Sequence, residues 1–112
     1  MTGTMALSSP LPTVLAQHLE PLRELCERFG VERLEVFGSA AKGLFDPATS
    51  DLDFIARFRN PMEPGYCGRF CGFADAAEAL LGRSVDLLTE RMINNPYFRE
   101  DVDAVRRIVV EL

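Results

Sequence analysis

The sequence predicts a small domain of the α+β (α/β mixed) class. Helical and strand periodicities alternate along the chain in the order helix, strand, strand, helix, strand, helix. Glycine and proline punctuate almost every boundary between them. At 112 residues the chain has the size of one domain, here 13–112, preceded by a frayed segment 1–12.

Each element has its own signal. Leu22, Leu25, Cys26 and Phe29 share the spacing of one helical face, and Gly30 follows as a stop. The pattern reaches back to Val14, Leu15 and Leu19, so Pro21 must kink that helix or open a new one within its first turn. Arg33 to Phe37 reads as a strand, and Ala40 to Lys42 as the first turn of a short helix capped by Ser39. Leu44 to Ser50 reads as a loop, Asp51 to Phe58 as a second strand, and Asn60 to Gly65 as another loop. Tyr66 to Leu81 is a helix with Phe70, Phe73, Ala77 and Leu80 on one face and Gly82 at its end. Gly68 and Gly72 weaken it locally and mark candidate sites of close packing. A third strand over Ser84 to Thr89, a turn at Asn94-Asn95-Pro96, a helix from Tyr97 to about Arg106 and a short strand at Ile108 to Glu111 complete the chain.

Bulk properties exclude several roles. No apolar run is long enough to cross a bilayer, and the first twelve residues lack the basic and apolar regions of a secretory signal. Acidic residues outnumber basic ones 17 to 12, for a formal charge of −5. A chain built to grip nucleic acid directly would carry a basic face instead. An enzyme that handles a polyanion through bound cations is still allowed, because the metal supplies the positive charge. Three cysteines, Cys26, Cys67 and Cys71, form no paired framework and suit a reducing cytoplasmic setting. Cys67 and Cys71 lie one helical turn apart, but no second pair completes a zinc site, so they read as packing or solvent-facing thiols.

The chemistry concentrates in Val36-Phe37-Gly38-Ser39-Ala40-Ala41-Lys42-Gly43 and Ser50-Asp51-Leu52-Asp53-Phe54. Gly38 lets a ligand approach the backbone, and amides at a helix start favour an anion. Ser39 can donate to a phosphate oxygen, and Lys42 adds a positive charge one turn on. Asp51 and Asp53, two apart in a strand, point to one face, with Leu52 and Phe54 on the other. Asp86 is a third acid in an apolar strand, Val85 to Leu88, where an acid is costly unless solvated or bound. If that strand lies beside the second, the three carboxylates form a site for magnesium, a hard cation that takes oxygen ligands. Each piece alone is ordinary. Asp101-Val102-Asp103 repeats the Asp-x-Asp pattern in a helix, where residues two apart do not face each other, and reads as a solvated surface pair. His18, the single histidine, reads as a helix-surface or capping residue. Tyr97-Phe98 reads as an anchor for the last helix, and Arg106-Arg107 as its solvated end.

Gly38-Ser39, Asp51-x-Asp53 and Asp86 resemble the signature of the DNA polymerase β-like nucleotidyltransferase superfamily. The phrases VFGSAAKG, SDLDF, VDLLTE and NNPYFRE resemble its minimal nucleotidyltransferase (MNT) branch, over Leu22 to Ile108. The loop between Ser39 and Asp51 carries one residue more than the commonest family spacing. Ala40 stands where the family often has an arginine. The resemblance implies a small mixed sheet with helices on one face and the active site on the other. It implies ATP as substrate and Mg2+ on Asp51, Asp53 and Asp86, with Asp86 also helping to deprotonate the acceptor. Gly38, Ser39 and Lys42 would hold the triphosphate. It also implies a HEPN-type toxin as partner, in a hetero-oligomer or beside a homo-oligomer, with AMP passed to a toxin hydroxyl such as tyrosine. Two alternatives stand beside this: an antitoxin that neutralises by docking alone, and a nucleotidyltransferase acting on a small molecule.

Overall fold

The computed structural model describes residues 11–42, 46 and 51–112, with the backbone alone at Lys42. The expected loop Leu44 to Ser50 apart from Asp46, the Lys42 side chain and residues 1–10 lie outside the described residues.

Two helices open the domain, α1 (Thr13–Ala16) and α2 (Leu19–Phe29). The chain breaks at Gln17 and His18, ahead of Pro21. Pro21 thus sits in the first turn of α2, where its missing N–H leaves no helical bond unmade. His18 is the residue before α2, and its Nδ1 lies 2.7 Å from the Val14 carbonyl oxygen. It joins the two helices and touches no site residue.

Strand β1 (Val31–Phe37) runs into the short helix α3 (Gly38–Lys42). The helix begins at Gly38, so Ser39 lies inside its first turn and is not its cap. Strand β2 (Leu52–Phe58), helix α4 (Tyr66–Leu81) and strand β3 (Val85–Leu88) follow. A 3₁₀ turn at Glu90–Met92, helix α5 (Pro96–Val105) and strand β4 (Arg107–Glu111) end the chain. Asn95 caps α5: its Oδ1 accepts from the amides of Tyr97 at 2.9 Å and Phe98 at 3.1 Å, and Pro96 takes the first helical position.

The four strands form one mixed sheet in the order β3-β2-β1-β4. β1 is antiparallel to both β2 and β4, and β2 is parallel to β3. Even-numbered residues of β2 and odd-numbered residues of β3 face the main core. There Leu52, Phe54, Ala56, Val85 and Leu87 meet Leu22, Leu25 and Cys26 of α2 and Phe73, Ala77 and Leu81 of α4. Phe54 and Phe73 are fully buried, so truncating either to alanine costs about 3–5 kcal/mol. Burial pushes the Cys26 thiol up to about 12, leaving it an inert packing group, while Cys67 and Cys71 are exposed. Gly72 is a true close approach, since a Cβ there would stand 2.8 Å from the Phe29 ring. Gly68 has open space around it.

Helices α1, α2 and α4 cover this face. The opposite face carries a second, smaller core of Phe37, Ile55, Ile93 and Val102, in which α5 packs over one part of the sheet. The rest of that face is left for polar residues. Among the described residues, no helix is long and apolar enough to cross a membrane.

Candidate active site

The register of the sheet assembles the site. Phe37 of β1 pairs with Asp53 of β2, and Asp53 pairs with Asp86 of β3. Paired residues on neighbouring strands share a face, so the end of β1 and two carboxylates lie side by side on the face away from α2 and α4. β1 ends there because Gly38 turns the chain with φ +71°, a backbone conformation that costs a side-chain-bearing residue energy. A Cβ at Gly38 would collide with Oδ2 of Asp53. Glycine at this position is therefore required twice, by the turn and by the carboxylate against it.

Asp53 is half-buried and Asp86 is exposed. The Asp53 carboxyl is pushed up to about 6. Burial is the largest cause, followed by the charge of Asp86, a hydrogen bond in which protonated Asp53 donates to Asp86, and the charge of Asp51. Two neighbouring carboxylates that bind a proton so readily form a place where positive charge is strongly favoured. Asp51 stands differently from expectation. The ladder begins with the Leu52 amide donating to the Ser84 carbonyl at 3.1 Å, so Asp51 precedes the strand and is exposed. Its charge still reaches Asp53. Among the described residues no group of three or more His, Cys, Asp or Glu side chains converges as a ready metal cage. The structure thus brings Asp53 and Asp86 together and places Asp51 beside them at the strand entrance. Gly38 and Ser39 lie at the same end of the sheet, in α3.

Beside Gly38 opens a cleft of about 200 Å³, lined by Phe37, Phe98, Asp101, Val102 and Val105. Phe98 packs edge-to-face on Phe37, with ring centroids 6.0 Å apart. Tyr97 does not anchor the helix: it is 79% exposed. Asn95 fixes the first turn of α5 so that Phe98, itself partly exposed, leans on Phe37 while Tyr97 turns to solvent. Asp101 and Asp103 are both exposed and point apart, as a helix requires. Asp101 lines the cleft, and Asp103 accepts from Arg106 at 2.7 Å.

Arg106 is not a solvated helix end. Its guanidinium is largely buried and donates to Glu35 of β1, Glu90 of the 3₁₀ turn and Asp103 of α5. These bonds hold its proton more tightly than in a free arginine, the hydrogen bonds it donates to Glu35 contributing most. They also hold Glu90 below the ordinary glutamate range, chiefly through Arg106 and despite some burial. Glu35 is the one buried charged residue among the described residues, and its strand face is that of Phe37 and Asp53. The reasoning that singles out Asp86, an acid in an apolar strand, applies equally to Glu35 in Val31–Phe37. Its partner lies 71 residues away, beyond reach of any local pattern.

A family described as "Nucleotidyltransferase domain" matches residues 20–110. The chain belongs to this nucleotidyltransferase family. A solved structure described as a "putative minimal nucleotidyltransferase" is 33% identical, covers 83% of this chain and 90% of its own, and superposes with a TM-score of 0.67. A Methanocaldococcus jannaschii protein named "Putative protein adenylyltransferase" is 27% identical over 99 residues, which is 88% of this chain and 94% of that protein. The fold also recurs, at 13% identity and a TM-score of 0.59, in a Shewanella oneidensis complex of a tri-AMPylated HEPN toxin with its MNT antitoxin. That match covers 88% of this chain and 73% of the other. This nucleotidyltransferase is thus of the minimal kind, and its fold is that of the branch the sequence resembles.

Proposed function

We propose that this nucleotidyltransferase moves AMP from ATP to a hydroxyl, preferably of tyrosine, on a HEPN-type toxin and so acts as its antitoxin. The observation that carries this reading is the paired Asp53 and Asp86, backed by the close approach of Gly38. It supplies negative charge beside a backbone able to receive phosphate. Adenylyl transfer is the activity named for the Methanocaldococcus relative, and the Shewanella complex pairs an MNT antitoxin with an AMPylated HEPN toxin.

In this reading Asp51, Asp53 and Asp86 hold magnesium, a reading supported by the pairing of Asp53 with Asp86 and by the oxygen ligands that a hard cation takes. When bound, magnesium would neutralise the phosphates and favour departure of pyrophosphate. The acceptor oxygen attacks the α-phosphorus, the bond to the β-phosphate oxygen breaks, and Asp86, the more exposed of the pair, receives the hydroxyl proton. Gly38 and Ser39 present backbone and hydroxyl donors to the triphosphate, with Lys42 adding charge. The compact site leaves acceptor recognition to docking of the partner. With an excess of negative charge, the domain needs no direct contact with nucleic acid.

Intact-mass analysis of the toxin after incubation with this protein, ATP and magnesium tests the proposal. One or more AMP adducts are expected with the wild type and none with Asp51→Asn, although the variant still binds. Equal neutralisation by both proteins with no adduct would establish docking alone. Adducts confined to small hydroxyl compounds would establish a small-molecule enzyme.

A further inference from the structure

At the far end of β2, roughly 17 Å along the strand from Asp53, the sheet is left incomplete. The parallel pairing with β3 stops at Ile55 and Leu88, while β2 continues to Phe58. After Leu88 the chain leaves the sheet for the 3₁₀ turn, so Ala56 to Phe58 have no strand on that side. A cleft of about 440 Å³ opens at this unpaired edge. Its apolar lining includes Phe58, Pro61 and Tyr66, and its charged residues are Arg57, Arg59 and Arg91 together with Glu32 and Glu90, both of which are already paired with arginines.

The rim charges are not used alike. Arg57 is paired with Glu32 at 3.2 Å. Arg59 and Arg91 are exposed, and no ion pair holds either among the described residues. Three other arginines are engaged within the domain: Arg99 with Glu90, Arg106 with three carboxylates, and Arg69 with backbone carbonyls of Phe29, Arg59 and Asn60. Arg59 and Arg91 thus set two exposed cations at the rim of an apolar cleft, on a chain of net charge −5. The cleft floor is also rigid. Phe58 is packed edge-to-face on Tyr66 and Phe73, and the Arg69 guanidinium lies 5.8 Å from the Phe58 ring centre.

We propose that this cleft is a docking site for an extended, acidic segment of a partner protein. The segment lies along the free edge of Ala56 to Phe58, as added strands do. It places an apolar side chain against Phe58 and Tyr66 and its carboxylates on Arg59 and Arg91. The surface is independent of the nucleotide site, so a partner can be held here while another part of it reaches Asp53.

The probe is a blocked, fluorescein-labelled hexapeptide that alternates glutamate with valine or phenylalanine, titrated to about 1 mM into the full chain. Binding read by anisotropy should weaken roughly fivefold in Arg59→Glu and in Arg91→Glu, and it should fall with added salt. Amide NMR signals of Ala56 to Phe58 should shift, while those around Gly38 and Asp53 stay in place. Neither substitution should unfold the domain, because neither side chain has an ion-pair partner to lose among the described residues. Absence of binding, equal binding of the lysine-for-glutamate peptide, or binding unchanged by both substitutions would overturn the proposal. Equal displacement by inorganic phosphate alone would reduce the cleft to a small-anion site and overturn it too.

Discussion

Arg106 grips Glu35 through two parallel hydrogen bonds, from Nε to Oε2 at 3.1 Å and from Nη2 to Oε1 at 2.7 Å. The pair ties the end of α5 to the middle of β1, two residues before Phe37. Both charges are out of water, so removing one strands the other. Arg106→Ala should destabilise the domain by about 3–5 kcal/mol, measured as a lower urea midpoint. Replacing both together, Glu35→Leu with Arg106→Met, should recover most of that loss, because no unpaired charge then remains on β1. A double variant as weak as Arg106→Ala would show that the pair is not the source of the effect.

Asp53→Asn separates stability from chemistry. The folded protein binds the Asp53 proton with a pKa of about 6, against the ordinary aspartate value of 3.8. The native state therefore holds more protons than the unfolded chain between those values, and stability falls as pH rises through the window. That stabilisation is complete below the unfolded value and gone above the folded one. At pH 8 without metal, Asn at this position should be the more stable protein by on the order of 1–2 kcal/mol, solvent screening included. The advantage should shrink below pH 6. Magnesium should raise the melting temperature of the wild type and leave the variant unchanged. Nucleotidyl transfer should drop at least about 100-fold. Transfer at the wild-type rate under matched magnesium would remove Asp53 from the site.

Gly38→Ala should be more damaging than its single added methyl suggests. Its φ of +71° already costs alanine about 1–2 kcal/mol, and the methyl meets the Asp53 carboxylate as well. Displacing that carboxylate by an ångström should reduce turnover by roughly 100-fold. Circular dichroism should report a folded protein with a lower melting point. An alanine variant with full activity would mean that Gly38 and Asp53 are not in contact.

Asp101→Asn and Asp103→Asn are the controls. Asp103 makes an exposed pair with Arg106 one helical turn away, so its loss should cost under about 1 kcal/mol. Asp101 borders the cleft beside Gly38 but faces no second carboxylate in the register that joins Asp53 to Asp86. Both variants should keep magnesium-dependent transfer near the wild-type rate. A loss comparable with that of Asp53→Asn would move the metal site toward α5.

By itself the sequence determined the element order and most boundaries to within a residue or two, and it singled out Gly38, Asp53 and Asp86, which the fold places side by side. These follow from local physics: side chains alternate along a strand, apolar stripes recur every helical turn, and an acid inside an apolar strand needs a reason. Tertiary pairing decided the rest. Nothing local shows that β3 lies parallel to β2 with Asp86 opposite Asp53, or that the ladder starts at Leu52 and leaves Asp51 outside it. Tyr97 and Phe98 are adjacent aromatics, and only the capped first turn of α5 lays one against the Phe37 ring and leaves the other to water. Arg106 reads as a solvated helix end, and the partner of Glu35 is invisible, until β1 and the end of α5 come together. A buried ion pair between residues far apart in the chain is a property of the folded contact, because only there does each charge lose its water and gain the other.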